Sequence, residues 1–155
     1  MSSPIQLHPI ASVRGGRADV EDDAWGLVES RIELDVARFR SDALKGLDAF
    51  SHLVVIFHFH RADASRTVTG ARHPRNNPAW PEVGIFAQRG KDRPNHLGLS
   101  TCEILRVEGT TVHVRGLDAV DGTPVLDLKP VMKGFQPQGD IREPAWATEL
   151  MAGYW

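Results

Sequence analysis

HLVVIFHF, His52 to Phe59, is the stretch on which the fold turns. Side chains of a strand alternate between its faces, so Leu53, Val55, Phe57 and Phe59 share one face while Val54, Ile56, His58 and His60 share the other. Both faces begin apolar, which predicts a central strand with both sides covered. One face then turns polar at its C-terminal end, where a pocket lined by His58 and His60 can open. The chain carries 14 Gly and 10 Pro, and short apolar segments bounded by turn residues flank this strand on both sides, so strands are favoured over long helices.

Working outward, Ile5 to Val13 and Gly26 to Leu34 read as strands separated by the polar loop RGGRADVEDD. Ser41 to Leu47 reads as one helical turn, capped by Ser41 or Asp42 and closed by a left-handed Gly46. Residues 61–82 have almost no apolar pattern and read as a long loop, a feature that in compact domains is usually functional or mobile. Val83 to Ala87 reads as a short strand. Leu99 to Val107 and Thr111 to Leu117 form a hairpin through Glu108-Gly109-Thr110, and Val125 to Leu128 follows the tight turn Asp121-Gly122-Thr123-Pro124. The tail EPAWATELMAGYW predicts a short amphipathic helix, with Pro144 in its first turn and Trp146, Leu150 and Tyr154 on the face that covers one end of the β core.

A length of 155 residues predicts one domain, and 41% hydrophobic with 25% charged residues is a globular mixture. No apolar run is long enough to span a bilayer as a helix, and MSSPIQLHPI lacks the pattern of a secretory signal, so a cytoplasmic chain is expected. Cys102 is alone, which excludes a disulfide framework or a cysteine-rich zinc site. The net charge of −2 hides an uneven distribution: residues 51–100 hold seven Lys/Arg against three acids, while the rest of the chain is acidic. Five of the seven histidines fall in that same middle third, so the net charge does not argue against an RNA partner.

Among chemical motifs, His58 and His60 have the spacing of two metal ligands, but a metal needs a further convergent ligand with its own supporting bonds, so no metal is expected. Cys102 inside a strand reads as a buried structural thiol. Ser51 and Ser100 have no nucleophile elbow around them, and no GxGxxG or Walker pattern is present. Three stretches are more specific: GLDAFSHLVVIFHFH (46–60), VGIFAQRGKDRPNHLGLS (83–100) and GLDAVDGTPVLDLKP (116–130). In this order they resemble the TsaA/TrmO family, also called YaeB-like, whose pattern runs approximately GLE-x-FSHLW and a strand ending in FH, then GVFATRSPFRPNPIGLS, then DLLDGTPVLDIKPY.

That resemblance implies a mainly β fold: a single β-barrel domain over residues 1–155 with short helices, including a C-terminal one; the length of the chain gives the expectation of no additional C-terminal domain of the kind the tRNA-modifying bacterial members carry. It implies an S-adenosylmethionine-dependent methyltransferase that methylates the exocyclic nitrogen of an adenosine near the tRNA anticodon. The alternative is an S-adenosylmethionine-binding protein of the same fold that acts on a small molecule or lacks tRNA activity. The implied cofactor residues are His60, Arg61, Arg89, Leu99, Asp121, Gly122, Thr123 and Pro124. Arg93 and Asn95, in RPN, are implied to position the acceptor or the loop, and a homodimer is implied as well.

Residue chemistry is compatible with these assignments. Arg89 or Arg61 can pair bidentately with a carboxylate, backbone and apolar groups at Leu99 can hold an adenine, and Gly122 lets backbone approach a ligand closely. Taken without the resemblance, Asp121 to Pro124 is a turn between strands. The amine that accepts the methyl group must lose a proton, for which His58, His60, Asp121 and solvent are the candidates. The chain departs from the pattern at Gln88 for Thr, Gly90-Lys91-Asp92 for Ser-Pro-Phe, His96-Leu97 for Pro-Ile and Val131 for Tyr.

Overall fold

A computed structural model describes residues 2–155. Its strands are β1 (Ala11–Arg14), β2 (Glu29–Leu34), β3 (His52–His58), β4 (Ala71–Arg72), β5 (Val83–Gly84), β6 (Leu97–Glu108), β7 (Thr111–Arg115) and β8 (Pro124–Pro130). Six of them close into an antiparallel barrel in the order β1-β2-β7-β6-β3-β8, and β4 pairs with β5 as a separate two-stranded ribbon. Closure removes the exposed edges that an open sheet of short strands would present.

The alternation of β3 sets the interior. Leu53, Val55 and Phe57 are buried inside the barrel, joined there by Val13, Ile32, Val112, Val114 and Val125. β3 pairs with β6 from His58↔Leu97 to His52↔Glu103 and with β8 from Phe57↔Val125 to Leu53↔Pro130. The β6 strand is long enough to serve two partners, β3 with its first half and β7 with its second. Opposite Phe57 stands Gly98, where an added Cβ would lie 2.4 Å from the ring, so only glycine fits against that face of the phenylalanine.

Most expected strands form with shifted ends. Ile5 and Leu7 are exposed and pairing begins only at Ala11, so the first strand is much shorter than its apolar pattern suggests. Val83 to Ala87 divides into the two residues of β5 and a 3-10 turn at Ile85–Ala87. The turn at Ser41–Leu44 has Arg40 as its N-cap with no side-chain bond, so neither Ser41 nor Asp42 caps it. Gly46 is left-handed at φ +87° and leads into a second 3-10 turn, Leu47–Ala49. The long loop contains two short 3-10 turns, Ala64–Arg66 and Pro74–Asn76, on either side of β4.

The C-terminal helix α1 (Ala145–Met151) has Pro144 as its N-cap rather than inside its first turn. Trp146, Leu150 and Tyr154 are half-buried, as their four-residue spacing requires. The tail is tied down by main-chain bonds from Ala24 to Gly153 (2.9 Å) and from Trp25 to Tyr154 (2.8 Å), and by Trp80 Nε1 donating to Glu149 (2.8 Å). No helix among the described residues is long and apolar enough to cross a membrane.

Candidate cofactor site at the barrel mouth

β1, β3 and β7 end, and β2, β6 and β8 begin, at one end of the barrel, so the loops of all three motif stretches gather there. The turn at Asp121 to Pro124 is fixed to the end of β1. Gly122 N–H donates to the Val13 carbonyl (2.7 Å), Val13 N–H to the Thr123 carbonyl (2.9 Å) and Asp121 N–H to the Arg17 carbonyl (2.7 Å). The exposed Asp121 carboxylate accepts from Gly15 N–H at 2.8 Å. Thr123 is buried and its hydroxyl donates to the Val120 carbonyl at 2.7 Å, so its side chain shapes the turn and does not face solvent. Pro124 opens β8 opposite Ser12.

Gly122 is left-handed at φ +85°, and a Cβ built on it would lie 3.8 Å from His60 Nε2, so the His60 ring faces this turn. His60 lies beyond the end of β3, and its neighbour Arg61 donates to the Ala18 carbonyl at 2.6 Å, closing the loop after β1 over the same end. Although much of His60 is open to solvent, partial burial of its ring lowers its pKa from the usual 6.5, and the charges of Arg61 and then His58 lower it further. His58 instead faces His96, ring centroids 6.1 Å apart, and His96 bonds Thr67 at 2.9 Å.

Arg89 and Leu99, both within the second motif, meet directly: Arg89 Nη2 donates to the Leu99 carbonyl at 2.8 Å. Both are exposed, with the Leu99 side chain 50% accessible on the outer wall of β6. Arg93 points back into its own loop and donates to the Gln88 carbonyl at 2.6 Å. Of the two roles expected for it, holding the loop is the one this bond performs. Asn95 is exposed and, with His96, has positive φ (65° and 48°), an unusual backbone for residues other than glycine.

Several residues at this end escaped the sequence patterns. Arg17 donates to the Asp23 carbonyl at 2.6 Å and to Ala24, with its guanidinium 4.5 Å from the centre of the Trp25 ring. Tyr154 donates its hydroxyl to Asp118 Oδ2, while Asp118 Oδ1 is buried without a partner. Burial, followed by the Asp118 charge, pushes the Tyr154 phenol up, and the charges of Arg75 and Arg89 oppose this. Asp118 sits inside the third motif and Tyr154 on the amphipathic face, but nothing in the sequence connects them. Cys102 is buried and burial pushes its thiol up to about 12, as an inert structural thiol requires.

Residues 22–136 match the family model described as the tRNA-methyltransferase O N-terminal domain. The chain belongs to this family. It is 38% identical over 137 residues to the "Probable S-adenosyl-L-methionine-binding protein" of Methanothermobacter thermautotrophicus, covering 87% of this chain and 96% of that one. It is 36% identical over 118 residues to the "tRNA (adenine(37)-N6)-methyltransferase" of Escherichia coli, covering 69% of this chain and 48% of that one. A human protein of the same name matches at 35% over 102 residues, 66% of this chain and 23% of its own length. The chain thus spans half or less of those two methyltransferases. A crystal structure of TrmO superposes with a TM-score of 0.75 at 27% identity, covering 91% of this chain and 64% of that one. Family membership and the barrel accord with the resemblance carried by the three motifs.

Proposed function

We propose that this chain binds S-adenosylmethionine at the barrel mouth and transfers its methyl group to the exocyclic nitrogen of an adenosine in tRNA. The observation that carries this reading is the convergence at one end of the barrel of His60, the Gly122 turn and the Arg89–Leu99 bond. The donor set suits the cofactor. One arm of the Arg89 guanidinium is spent on Leu99, which leaves further donors to grip a carboxylate. Leu99 offers an exposed apolar side chain to an adenine, and the Gly122 turn has space for a ligand to approach backbone.

When bound, the cofactor supplies an electrophilic methyl group. His60 and Arg61, Arg89, Leu99 and the turn from Asp121 to Pro124 hold it, and Arg93 and Asn95 shape the loop that meets the acceptor. Alignment of acceptor and methyl carbon supplies most of the acceleration, up to about 7–11 kcal/mol for ideally oriented reactants. His60, with its lowered pKa, is mostly neutral near pH 7 and takes the proton that the amine releases. A homodimer and a cytoplasmic location go with this reading; the outward-facing Leu97, 39% exposed on β6, supplies apolar surface for a second copy.

A second reading, cofactor binding with a small-molecule acceptor or none, is favoured by the near end-to-end match to the archaeal S-adenosylmethionine-binding protein. Calorimetry with S-adenosylmethionine on the wild type and Arg89→Ala tests the site, since unchanged affinity in the variant would remove it. Methylation of bulk tRNA, with binding that weakens steeply as salt rises, separates the two readings. Tight cofactor binding with no methyl transfer to tRNA supports the second.

A further inference from the structure

We propose that Arg72 is a positioning residue for Arg89, acting through a buried polar clamp on both sides of it; this rests on the cofactor reading above. Arg72 lies on β4 opposite Val83 of β5. Its Nη1 donates to Asp92 Oδ2 at 3.2 Å and its Nε contacts Gln88 Oε1 at 3.4 Å. Gln88 Nε2 donates in return to the carbonyls of Arg72 (3.1 Å) and Val83 (2.9 Å). Gln88 and Asp92 are only 8% and 4% exposed, whereas Arg89 between them is exposed. The clamp therefore holds residues on both sides of Arg89 inward and leaves its guanidinium directed at the Leu99 carbonyl.

Three departures from the family pattern meet at this one side chain. Gln88 and Asp92 bond Arg72, and Gly90 makes room for it, because a Cβ at position 90 would lie 2.8 Å from Arg72 Nη2. They act as a unit. The main chain reinforces the hold, with Val68 N–H donating to the Asp92 carbonyl at 3.0 Å. Asp92 Oδ1 is buried with no partner. A carboxylate half-satisfied in this way is a poor means of gaining stability, and its use is better accounted for by the single loop conformation it selects.

The test is hydrogen exchange on the wild type, Asp92→Asn and Gly90→Ala, the last of which displaces the Arg72 guanidinium without removing a charge. Amides from Gln88 to His96 are expected to exchange at least tenfold faster in both variants, with the barrel strands unchanged; equal exchange in that loop overturns the proposal. Calorimetry with S-adenosylmethionine then closes a cycle between Asp92→Asn and Arg89→Ala. If Asp92 acts through Arg89, the double variant binds no more weakly than Arg89→Ala alone, whereas fully additive losses overturn the link. A wild type with no affinity for S-adenosylmethionine would refute the cofactor reading and leave the exchange result to decide the clamp.

Discussion

Arg89 donates through Nη2 to the main-chain carbonyl of Leu99, 2.8 Å away and ten residues on, tying the middle of the second motif to its C-terminal end. A lysine here has one point charge and cannot hold the carbonyl while presenting a planar fork to a carboxylate. Arg89→Lys is expected to weaken S-adenosylmethionine roughly 10-fold or more, as loss of a charge-assisted hydrogen bond of about 1.5–3 kcal/mol implies. Calorimetry checks it, and wild-type affinity in the lysine variant would show that the fork is not used.

The contact between Gly98 and Phe57 predicts a large stability effect from one methyl group. In Gly98→Ala the new Cβ would start 2.4 Å from a buried ring carbon inside a closed wall. Overpacking of this kind costs about 1–3 kcal/mol, which corresponds to a fall in Tm of roughly 2–12 °C for a domain of this size. Thermal unfolding measures it. The double variant Gly98→Ala with Phe57→Leu should recover part of the loss, and no recovery would mean that the ring is not the obstacle.

Tyr154 and Asp118 tie the tail to the segment after β7. Because Asp118 Oδ1 already lacks a partner, Tyr154→Phe removes the phenol from Oδ2 and leaves neither carboxylate oxygen with a side-chain donor. A loss of about 1–3 kcal/mol is expected, with Asp118→Asn in the Tyr154→Phe background regaining part of it. An unchanged denaturant midpoint for Tyr154→Phe would deny the bond a part in stability.

His60 predicts a pH dependence with a definite sign. Its folded-state pKa lies below 6.5, so between that pKa and 6.5 the unfolded chain binds the proton more readily than the folded one. This contribution leaves stability untouched above that window and lowers it as pH falls through it. Methyl transfer is expected to decline as pH falls through the folded-state pKa, where His60 loses its capacity to accept a proton. An NMR titration of His60 with a midpoint at or above 6.5 would contradict both expectations.

Alternation in β3 and the turn chemistry around Gly109 and Gly122 were legible because they depend on neighbouring residues. Barrel closure was legible only through the resemblance, since β1 meets β8 through two residue pairs that no local pattern signals. Ile5 and Leu7 misled for the same reason: alternation marks what a strand would bury, and nothing pairs with them to bury it. The Arg72 clamp and the Tyr154–Asp118 bond stayed hidden because each joins polar residues distant in the chain, and a polar residue buried by a remote partner has no periodicity.

The shortest ladder of the barrel, the pairs Ala11↔Val125 and Ser12↔Pro124, brings together segments far apart in the described chain. The turn carrying Gly122 is fastened to that same seam through Val13. Such distant contacts are the slowest to form and the last for the chain to complete. A growing polypeptide would therefore carry β3 and the Arg89 loop well before it owned a finished mouth, and the ability to hold a ligand would arrive late, together with the closing of the wall.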